Sequence, residues 1–259
     1  HYISLVIPSR WFSAGRENLL GEFRQNMLSS NRIRSLFAYD DSSALFSNVE
    51  IKGGICYYLE DMSYQGECDY FYYTRGRGVE NIKLLLGDFD VFIREPKKAI
   101  IVRKIEDMRI KEQIGCVEDI ISSDTPFGIP SNPKTSPKNP YDVFSSPSPI
   151  HNTLLYHIED QKRIIEYVRR NDITKNKQDI DRVKVFVVGS GGSGNDNMVL
   201  SKPEYAPSNS VCSQSYLYAS FDSEEKALNF ISYLKTRFFR FLVNGALSGM
   251  NNILFASAK

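Results

Sequence analysis

The sequence has few of the residues on which metal sites and disulfide scaffolds depend. Four cysteines (Cys56, Cys68, Cys116 and Cys212) include no Cys-x-x-Cys pair, and only three histidines accompany them. This scarcity predicts no metal site and reduced, mostly buried thiols. No apolar run approaches the roughly 20 residues that a membrane span requires, and no signal-peptide pattern opens the chain. The sequence therefore predicts a cytoplasmic protein with no membrane partner.

The chain also lacks an excess of either charge. Its 32 Lys and Arg against 31 Asp and Glu give a formal net charge of +1. A polyanion must therefore be bound by a local basic patch, which excludes histone-like and tail-type binders. The 259 residues, 42% of them hydrophobic, are ordinary for one large or two modest globular domains, and they exclude a disordered chain.

The first hundred residues have the pattern of an α/β sheet. The run from Ile3 to Ile7 is typical of a buried strand, and because a central strand rarely opens a domain, and the chain starts at His1 without Met, we expect a fragment of a longer protein. A helix is predicted over residues 16–30, and strands over 33–39, 49–59 and 70–73. This order is that of the second half of a doubly wound sheet whose last two strands form a hairpin.

The second half of the chain changes in composition. Residues 122–150 hold seven of the eleven prolines and are predicted to form a long loop, either a recognition loop or a solvated linker. Helices are predicted over residues 158–170 and 223–243, the latter capped by Asp222, and a strand over 183–188.

Three motifs imitate catalytic signatures. Gly189, Gly191 and Gly194 satisfy the pattern G-x-G-x-x-G, but no amphipathic helix follows, so a flexible hairpin or surface loop is expected. Asp124–Phe127 and Asn139–Tyr141 each resemble an incomplete Asn-Pro-Pro-Tyr type tetrapeptide in the proline-rich segment, where chance matches are expected. No Ser, His and Asp set indicates hydrolase chemistry.

Longer stretches resemble one family of enzymes. YISLVIPSRW, GEFRQNMLSS and SALFSNVEIKGGICYYLED, all within the first 61 residues, resemble the late catalytic-domain motifs of adenine-specific (N6) DNA methyltransferases from bacterial restriction-modification systems. PFGIPSN and residues 207–243 resemble the recognition-domain portion of type II enzymes of the fused restriction and modification kind. Together these stretches extend the resemblance over nearly the whole chain.

The resemblance implies an α/β fold in two parts. Residues 1–97 would be the C-terminal portion of a Rossmann-like methyltransferase sheet, and residues 98–259 an α+β target-recognition domain. The partner would be double-stranded DNA, with a nuclease domain possible in the parent protein. S-adenosylmethionine would be the parent's cofactor. The family's cofactor motif and Asn-Pro-Pro-Tyr tetrapeptide should lie upstream of this sequence, so we expect no bound cofactor, no catalytic residue and no activity in this chain alone.

The resemblance also implies site residues. Phe46 matches the aromatic that stacks on the flipped adenine, with an ordinary core Phe as the alternative. Arg10 and Trp11 would stand at the carboxyl edge of the sheet, where ligands bind. The remaining candidates for DNA contacts are Lys52, Lys134, Lys138, Arg237 and Arg240, for which the alternative is a solvated charge. The stripe of Tyr233, Arg237 and Arg240 could equally pack domain against domain.

Two other functions remain open from the sequence. A stand-alone DNA-specificity subunit without a catalytic role would also explain a recognition-like half and absent catalytic motifs. A two-domain α/β protein that binds an unrelated small ligand is the third possibility. Salt-dependent binding to a DNA duplex is expected of both the methyltransferase fragment and the specificity subunit, and it separates them from the protein that binds a small ligand.

Overall fold

A computed structural model of the chain describes residues 1–12, 17–51, 53–88, 92–135, 141–188 and 201–246. The fold is mixed α/β, as the sequence predicts. It divides into two compact units: unit 1 comprises His1–Cys116 and the described residues from Phe241 on, and unit 2 comprises Val117–Arg240. The predicted boundary after residue 97 falls inside a helix, and the assignment of catalytic and recognition domains to these units remains a prediction.

Unit 1 is built on a five-stranded sheet. Its strands lie in the order β1-β3-β2-β4-β5. The elements are β1 (Tyr2–Pro8), α1 (Glu17–Ser29), β2 (Ile33–Tyr39), β3 (Ile55–Asp61), β4 (Cys68–Thr74), β5 (Gly78–Leu84) and α2 (Pro96–Lys111). The sequence did not predict α2, although Pro96 at its first turn is a common helix start.

The five strands of unit 1 form a mixed sheet with both antiparallel and parallel pairs. β3 lies between β1 and β2 and is antiparallel to both, so β1 and β2 run in the same direction. β4 is parallel to β2 on its other side, and β5 returns antiparallel to β4. The chain therefore leaves β1, β2 and β4 at one edge of the sheet and enters β3 and β5 from that same edge. We call this the strand-end edge.

The two faces of this sheet differ in burial. One face carries Leu36, Cys56, Tyr58 and Tyr70, which are 0–3% exposed and belong to the core that also contains Leu28 of α1. The opposite face is half-buried and carries a row of stacked rings across three strands. The ring of Phe37 lies 4.5 Å from Tyr57 and 4.4 Å from Phe71, and Tyr39 and Tyr73 extend the row.

β1 is exposed although its sequence predicts a buried strand. It is the edge strand of the sheet, paired only with β3. Tyr2, Leu5 and Val6 are 68%, 49% and 55% exposed. The prediction of burial is therefore wrong for this chain, because no strand covers the second side of β1 among the described residues.

Unit 2 contains two three-stranded sheets with the orders β10-β6-β7 and β11-β8-β9. Val185, Phe186 and Val187 of the central strand β8 are fully buried, which agrees with the strand predicted from their apolar run. Helix α3 packs against the second sheet. The elements are β6 (Thr153–Glu159), β7 (Lys162–Val168), β8 (Val183–Val188), β9 (Glu204–Ala206), β10 (Ser210–Cys212), β11 (Tyr216–Phe221) and α3 (Glu224–Leu234). Helix α4 (Arg237–Ala246) begins in unit 2, and its residues from Phe241 on belong to unit 1.

The helix predicted over residues 158–170 is wrong. This segment lies in the β6–β7 hairpin, whose turn residues Asp160 and Gln161 have φ of 49° and 63°. The apolar residues Ile164, Ile165 and Val168 fit a helical period over so short a window. The chain nevertheless forms a strand here, because pairing with β6 satisfies its backbone.

The helix predicted over residues 223–243 is two helices. α3 ends at Leu234 and α4 begins at Arg237, where the Thr236 hydroxyl accepts a hydrogen bond from the amide of Phe239 (3.1 Å). Ser223 caps α3 by accepting from the amide of Lys226, while the predicted cap, Asp222, pairs with Arg182 (2.7 Å). A local cap can therefore divide an apolar pattern that keeps its period across the break.

The proline-rich segment forms a loop, as predicted. Its described parts, residues 122–135 and 141–150, contain no helix, and their β pairing is one bridge between Phe144 and Tyr167. Phe127 is fully buried and stacks on Tyr218. The Asp124–Phe127 stretch is therefore attached to the core of unit 2 through its aromatic residue.

Candidate functional site

The loop between β2 and β3, described over residues 40–51 and 53–54, is held by internal hydrogen bonds at the strand-end edge. A 3-10 turn spans Ser42–Ala44, and the side chain of Asp41 caps it by accepting from the Ser43 amide (2.9 Å). The buried hydroxyl of Ser42 donates to the carbonyl of Val49 (2.6 Å) and accepts from the amide of Ile51 (2.9 Å). One serine therefore ties the two arms of the loop together.

Phe46 is presented to solvent by this loop. Its amide donates to the Ser42 carbonyl (2.9 Å), and its own carbonyl accepts from the Val49 amide (3.3 Å). The side chain is nevertheless 43% exposed, beside Leu45 and Val49 at 38% and 44%. The alternative that Phe46 is a core residue is therefore wrong. An exposed ring on a hydrogen-bonded backbone is available for stacking.

The ends of three strands meet beneath the loop. The Ser9 amide, just after β1, donates to the carbonyl of Gly54 (3.1 Å). Gly54 has φ of +76°, and a Cβ at this position would lie 2.1 Å from the carbonyl oxygen of Tyr39 at the end of β2. Only glycine allows the chain to enter β3 so close to β2.

An ion pair and an exposed arginine lie at this loop. Arg75, in the turn after β4, pairs with Asp41 at 3.1 Å. Hydrogen bonds from the Ser43 hydroxyl and amide, and the Arg75 guanidinium, hold the pKa of Asp41 below its usual value.

Arg10 is exposed directly after β1, whereas Trp11 is 2% exposed and donates its indole N–H to the Cys56 sulfur (3.4 Å). Trp11 is thus a core residue at this edge and Arg10 a surface one.

The sequence analysis missed a further arginine at this edge. The Nη2 of Arg94 donates to the carbonyl of Ser9 (3.1 Å), and its guanidinium lies 5.3 Å from the ring centre of Phe12. Burial lowers the pKa of Arg94 from its usual value. No local pattern connects Arg94 with the end of β1, because the two are 85 residues apart in the chain.

Unit 2 contains a partly buried ionic cluster beside a cavity of about 220 Å³. The Glu166 carboxylate accepts from Nε2 of His157 (2.8 Å) and from the ammonium of Lys134 (2.9 Å), which also pairs with Glu159 (3.1 Å). His157 is 1% exposed. Burial alone would raise the pKa of Glu166, but the hydrogen bonds from Lys134 and His157 outweigh it and lower that pKa.

This cluster predicts loss of stability in acid. Because the pKa of Glu166 is lower in the folded state than in the unfolded one, its contribution is complete above the ordinary glutamate pKa and is lost as pH falls through the folded-state value. We expect Glu166→Gln to lower the free energy of unfolding by about 1–3 kcal/mol at neutral pH, since it breaks hydrogen bonds between charged groups.

Urea denaturation at neutral and acidic pH measures this effect. The stability difference between wild type and Glu166→Gln should shrink as the pH falls below the ordinary glutamate pKa. Glu225→Gln, at an exposed position of the same unit, serves as the control and should behave as wild type. A difference that is independent of pH would show that Glu166 contributes through packing and not through its charge.

No family model matches the chain, and comparison with known proteins gives partial matches. An "Uncharacterized adenine-specific methylase" of Mycoplasma pneumoniae (strain ATCC 29342 / M129 / Subtype 1) is 33% identical over 66 residues, which are 26% of this chain and 15% of that protein. The resemblance to adenine-specific methylases is confirmed. The type IIG restriction endonuclease BpuSI aligns with 90% of this chain and 36% of its own, at 13% identity and a TM-score of 0.32. The matched part of this chain thus corresponds to 15% of the length of the methylase and 36% of that of BpuSI.

The predicted site residues fall into separate groups in the structure. Phe46 and Arg10 both lie at the strand-end edge of unit 1. In unit 2, Lys134 is engaged by two carboxylates, and Arg237 is exposed at the start of α4. Arg240 is half-buried, and its Nε has no hydrogen-bond partner. The break between α3 and α4 separates Tyr233 from the two arginines of the predicted stripe.

Several predictions fall outside the described residues. These are the phosphate contacts Lys52 and Lys138, the glycine motif of Gly189, Gly191 and Gly194, and the start of the Asn139–Tyr141 stretch. Within the described ranges, no group of three or more His, Cys, Asp or Glu side chains could hold a metal ion. No helix within those ranges is long and apolar enough to cross a membrane.

Proposed function

We propose that this chain is the C-terminal part of an adenine-N6 DNA methyltransferase of a restriction-modification system. Unit 1 contributes one wall of the pocket for the flipped adenine, and unit 2 contributes target recognition on double-stranded DNA. The observation that carries the proposal is the exposed ring of Phe46, held by backbone hydrogen bonds at the strand-end edge. The match to an adenine-specific methylase supports the choice of base.

The chemistry requires such a ring. An adenine amino group inside the duplex cannot be reached by a methyl donor, so the base must leave the stack, and stacking against an aromatic side chain compensates part of that cost. Phe46 supplies such a surface, because its ring is exposed. Leu45 and Val49 extend this surface beside it.

The exposed edge of β1 favours a part of a larger catalytic domain over a stand-alone specificity subunit. An unpaired apolar edge strand is a site for pairing with another strand, and independent proteins usually protect such edges. We propose that a strand of the parent's catalytic domain pairs with β1. A fused nuclease elsewhere in the parent belongs to the same proposal.

S-adenosylmethionine is proposed for the parent enzyme and not for this chain. The described turn after β1, Ser9–Phe12, has no glycine, and it buries Trp11 and Phe12. It offers no open backbone on which a cofactor could rest. The residues of this described turn therefore do not fit the cofactor.

Phe46→Ala tests the proposal directly. We expect the chain to bind a fluorescein-labelled duplex that carries one bulged adenine more tightly than the fully paired duplex, because a bulged base costs less to extrude. Phe46→Ala should weaken binding to the bulged duplex by about 1–3 kcal/mol, the usual contribution of one base stacked on an aromatic ring. Fluorescence anisotropy measures both affinities.

The neighbouring variant Leu45→Ala is the matched control, since Leu45 is equally exposed on the same loop. It should keep the preference for the bulged adenine, and Phe46→Trp should restore it. Binding of the wild type should also weaken steeply between about 50 and 200 mM salt. A chain that binds no duplex at low salt, or a Phe46→Ala variant with unchanged preference, contradicts the proposal.

A further inference from the structure

Arg94 is held rigidly at the strand-end edge by three contacts. Its Nη2 donates to the Ser9 carbonyl (3.1 Å), and its guanidinium lies against the ring of Phe12. The backbone carbonyl of Arg94 accepts from the buried hydroxyl of Tyr70 (2.7 Å). Because side-chain and backbone contacts come from different elements, the guanidinium has little freedom to move.

The charge of Arg94 has no carboxylate partner among the described residues. Two acidic residues of the neighbouring segments are already engaged, since Glu95 pairs with Lys98 and Asp41 with Arg75. Asp40 acts on Arg94 only through longer-range attraction. The Nε of Arg94 is buried and has no hydrogen-bond partner. Buried charges are normally paired, so this guanidinium lacks an anion.

Arg10 and Arg94 both lie close to Gly53. A Cβ added to Gly53 would lie 3.7 Å from Cγ of Arg10 and 3.8 Å from Nη2 of Arg94. Gly53 has φ of +91° and no side chain, so the backbone between the two arginines is open to a close approach. Gly53 belongs to the loop that carries Phe46.

We propose that Arg94, assisted by Arg10, binds a phosphodiester that flanks the adenine directed at Phe46. A fixed guanidinium presents two parallel N–H donors, which match the geometry of a phosphate. The phosphate would fill the place of the missing anion and fix the DNA strand at the loop. This inference rests on the proposed function, and it adds a strand-positioning contact to a base-stacking one.

Methylphosphonate substitution tests the contact. The probes are the bulged-adenine duplex and two versions in which the phosphate on either side of the adenine is a neutral methylphosphonate. For the wild-type chain, one of the two substitutions should reduce affinity by about tenfold, the effect of losing one charged hydrogen bond. Arg94→Gln should lose about the same factor on the native duplex and lose nothing further on that methylphosphonate duplex.

Three controls separate this contact from folding and from base stacking. Arg32→Gln removes the same charge at the opposite end of β2 and should behave as wild type. Arg94→Lys keeps the charge without the planar fork and should recover part of the affinity. Phe46→Ala should bind the bulged duplex weakly but stay sensitive to the methylphosphonate.

The outcomes distinguish the two proposals. If the wild type binds the bulged duplex and neither methylphosphonate weakens binding, the phosphate contact is overturned and the base-stacking role stands, even if Arg94→Gln does not fold. The phosphate contact is also overturned if the methylphosphonate lowers the affinity of Arg94→Gln by the same factor as that of the wild type. A wild-type chain that binds no duplex overturns the proposed function and this contact with it.

Discussion

Gly54→Ala is expected to destabilise unit 1 by about 3–5 kcal/mol, from a steric clash combined with an unfavourable backbone conformation. The new Cβ would lie 2.1 Å from the carbonyl oxygen of Tyr39 and 3.2 Å from Cα of Asp40. Both are backbone atoms, so no side-chain rotation relieves the contact. The strand-end edge would have to open, and the entry to β3 would shift away from β2.

Gly76→Ala is the matched control for this prediction. Gly76 has φ of +78°, almost the same as Gly54, but nothing lies within 4 Å of the position of its Cβ. Gly76→Ala should therefore lower the free energy of unfolding only through its unfavourable backbone conformation, by about 1–2 kcal/mol. Urea denaturation followed by the fluorescence of Trp11, the one tryptophan of the chain, measures both variants. Equal costs would contradict the close approach of β3 to β2.

Lys184→Met is expected to remove a rise in the stability of unit 2 between about pH 8 and pH 10. Lys184 is fully buried in β8, and its ammonium donates to the carbonyls of Ile180 (3.0 Å) and Arg182. Burial lowers the pKa of Lys184 to about 8. Because the folded-state pKa lies below the unfolded one, the unfolded chain binds more protons in this range, and stability increases with pH.

The size of this effect follows from the interval between the two pKa values. About two units of pH within that interval correspond to roughly 2–3 kcal/mol. The free energy of unfolding of wild type, measured by circular dichroism in urea, should rise by this amount relative to Lys184→Met. Lys162→Met, at an exposed position of β7, should show the wild-type slope. Identical slopes for wild type and Lys184→Met would contradict a depressed pKa at Lys184.

Elements with an unambiguous local pattern were predictable from the sequence. The run from Ile33 to Tyr39 was predicted as a strand, and it is β2 in the structure, where residues from Ser35 on alternate between half-buried and buried. Residues 164–168 fit two periods, and their pairing with β6 decided between them. The cap at Thr236 was likewise invisible in a pattern that continues across it.

The candidate site was predictable only in part, for a physical reason. Phe46 could be proposed because the resemblance to the methyltransferases rests on its neighbours in sequence, the loop before IKGG. Arg94 could not, because its place beside Ser9 depends on how the chain folds between them. Lys134 shows the converse: its charge suggests DNA contact in the sequence, whereas in the fold Glu159 and Glu166 surround its ammonium.

The uncovered side of β1 affects how samples of this chain should behave. Two copies could align their first strands and continue one sheet into the next, since the backbone groups on that side are complementary between any two strands. The tyrosine and the aliphatic side chains along it would be removed from water by the same contact. Concentration therefore becomes a variable to control whenever the chain is handled without the strand that we propose as its neighbour.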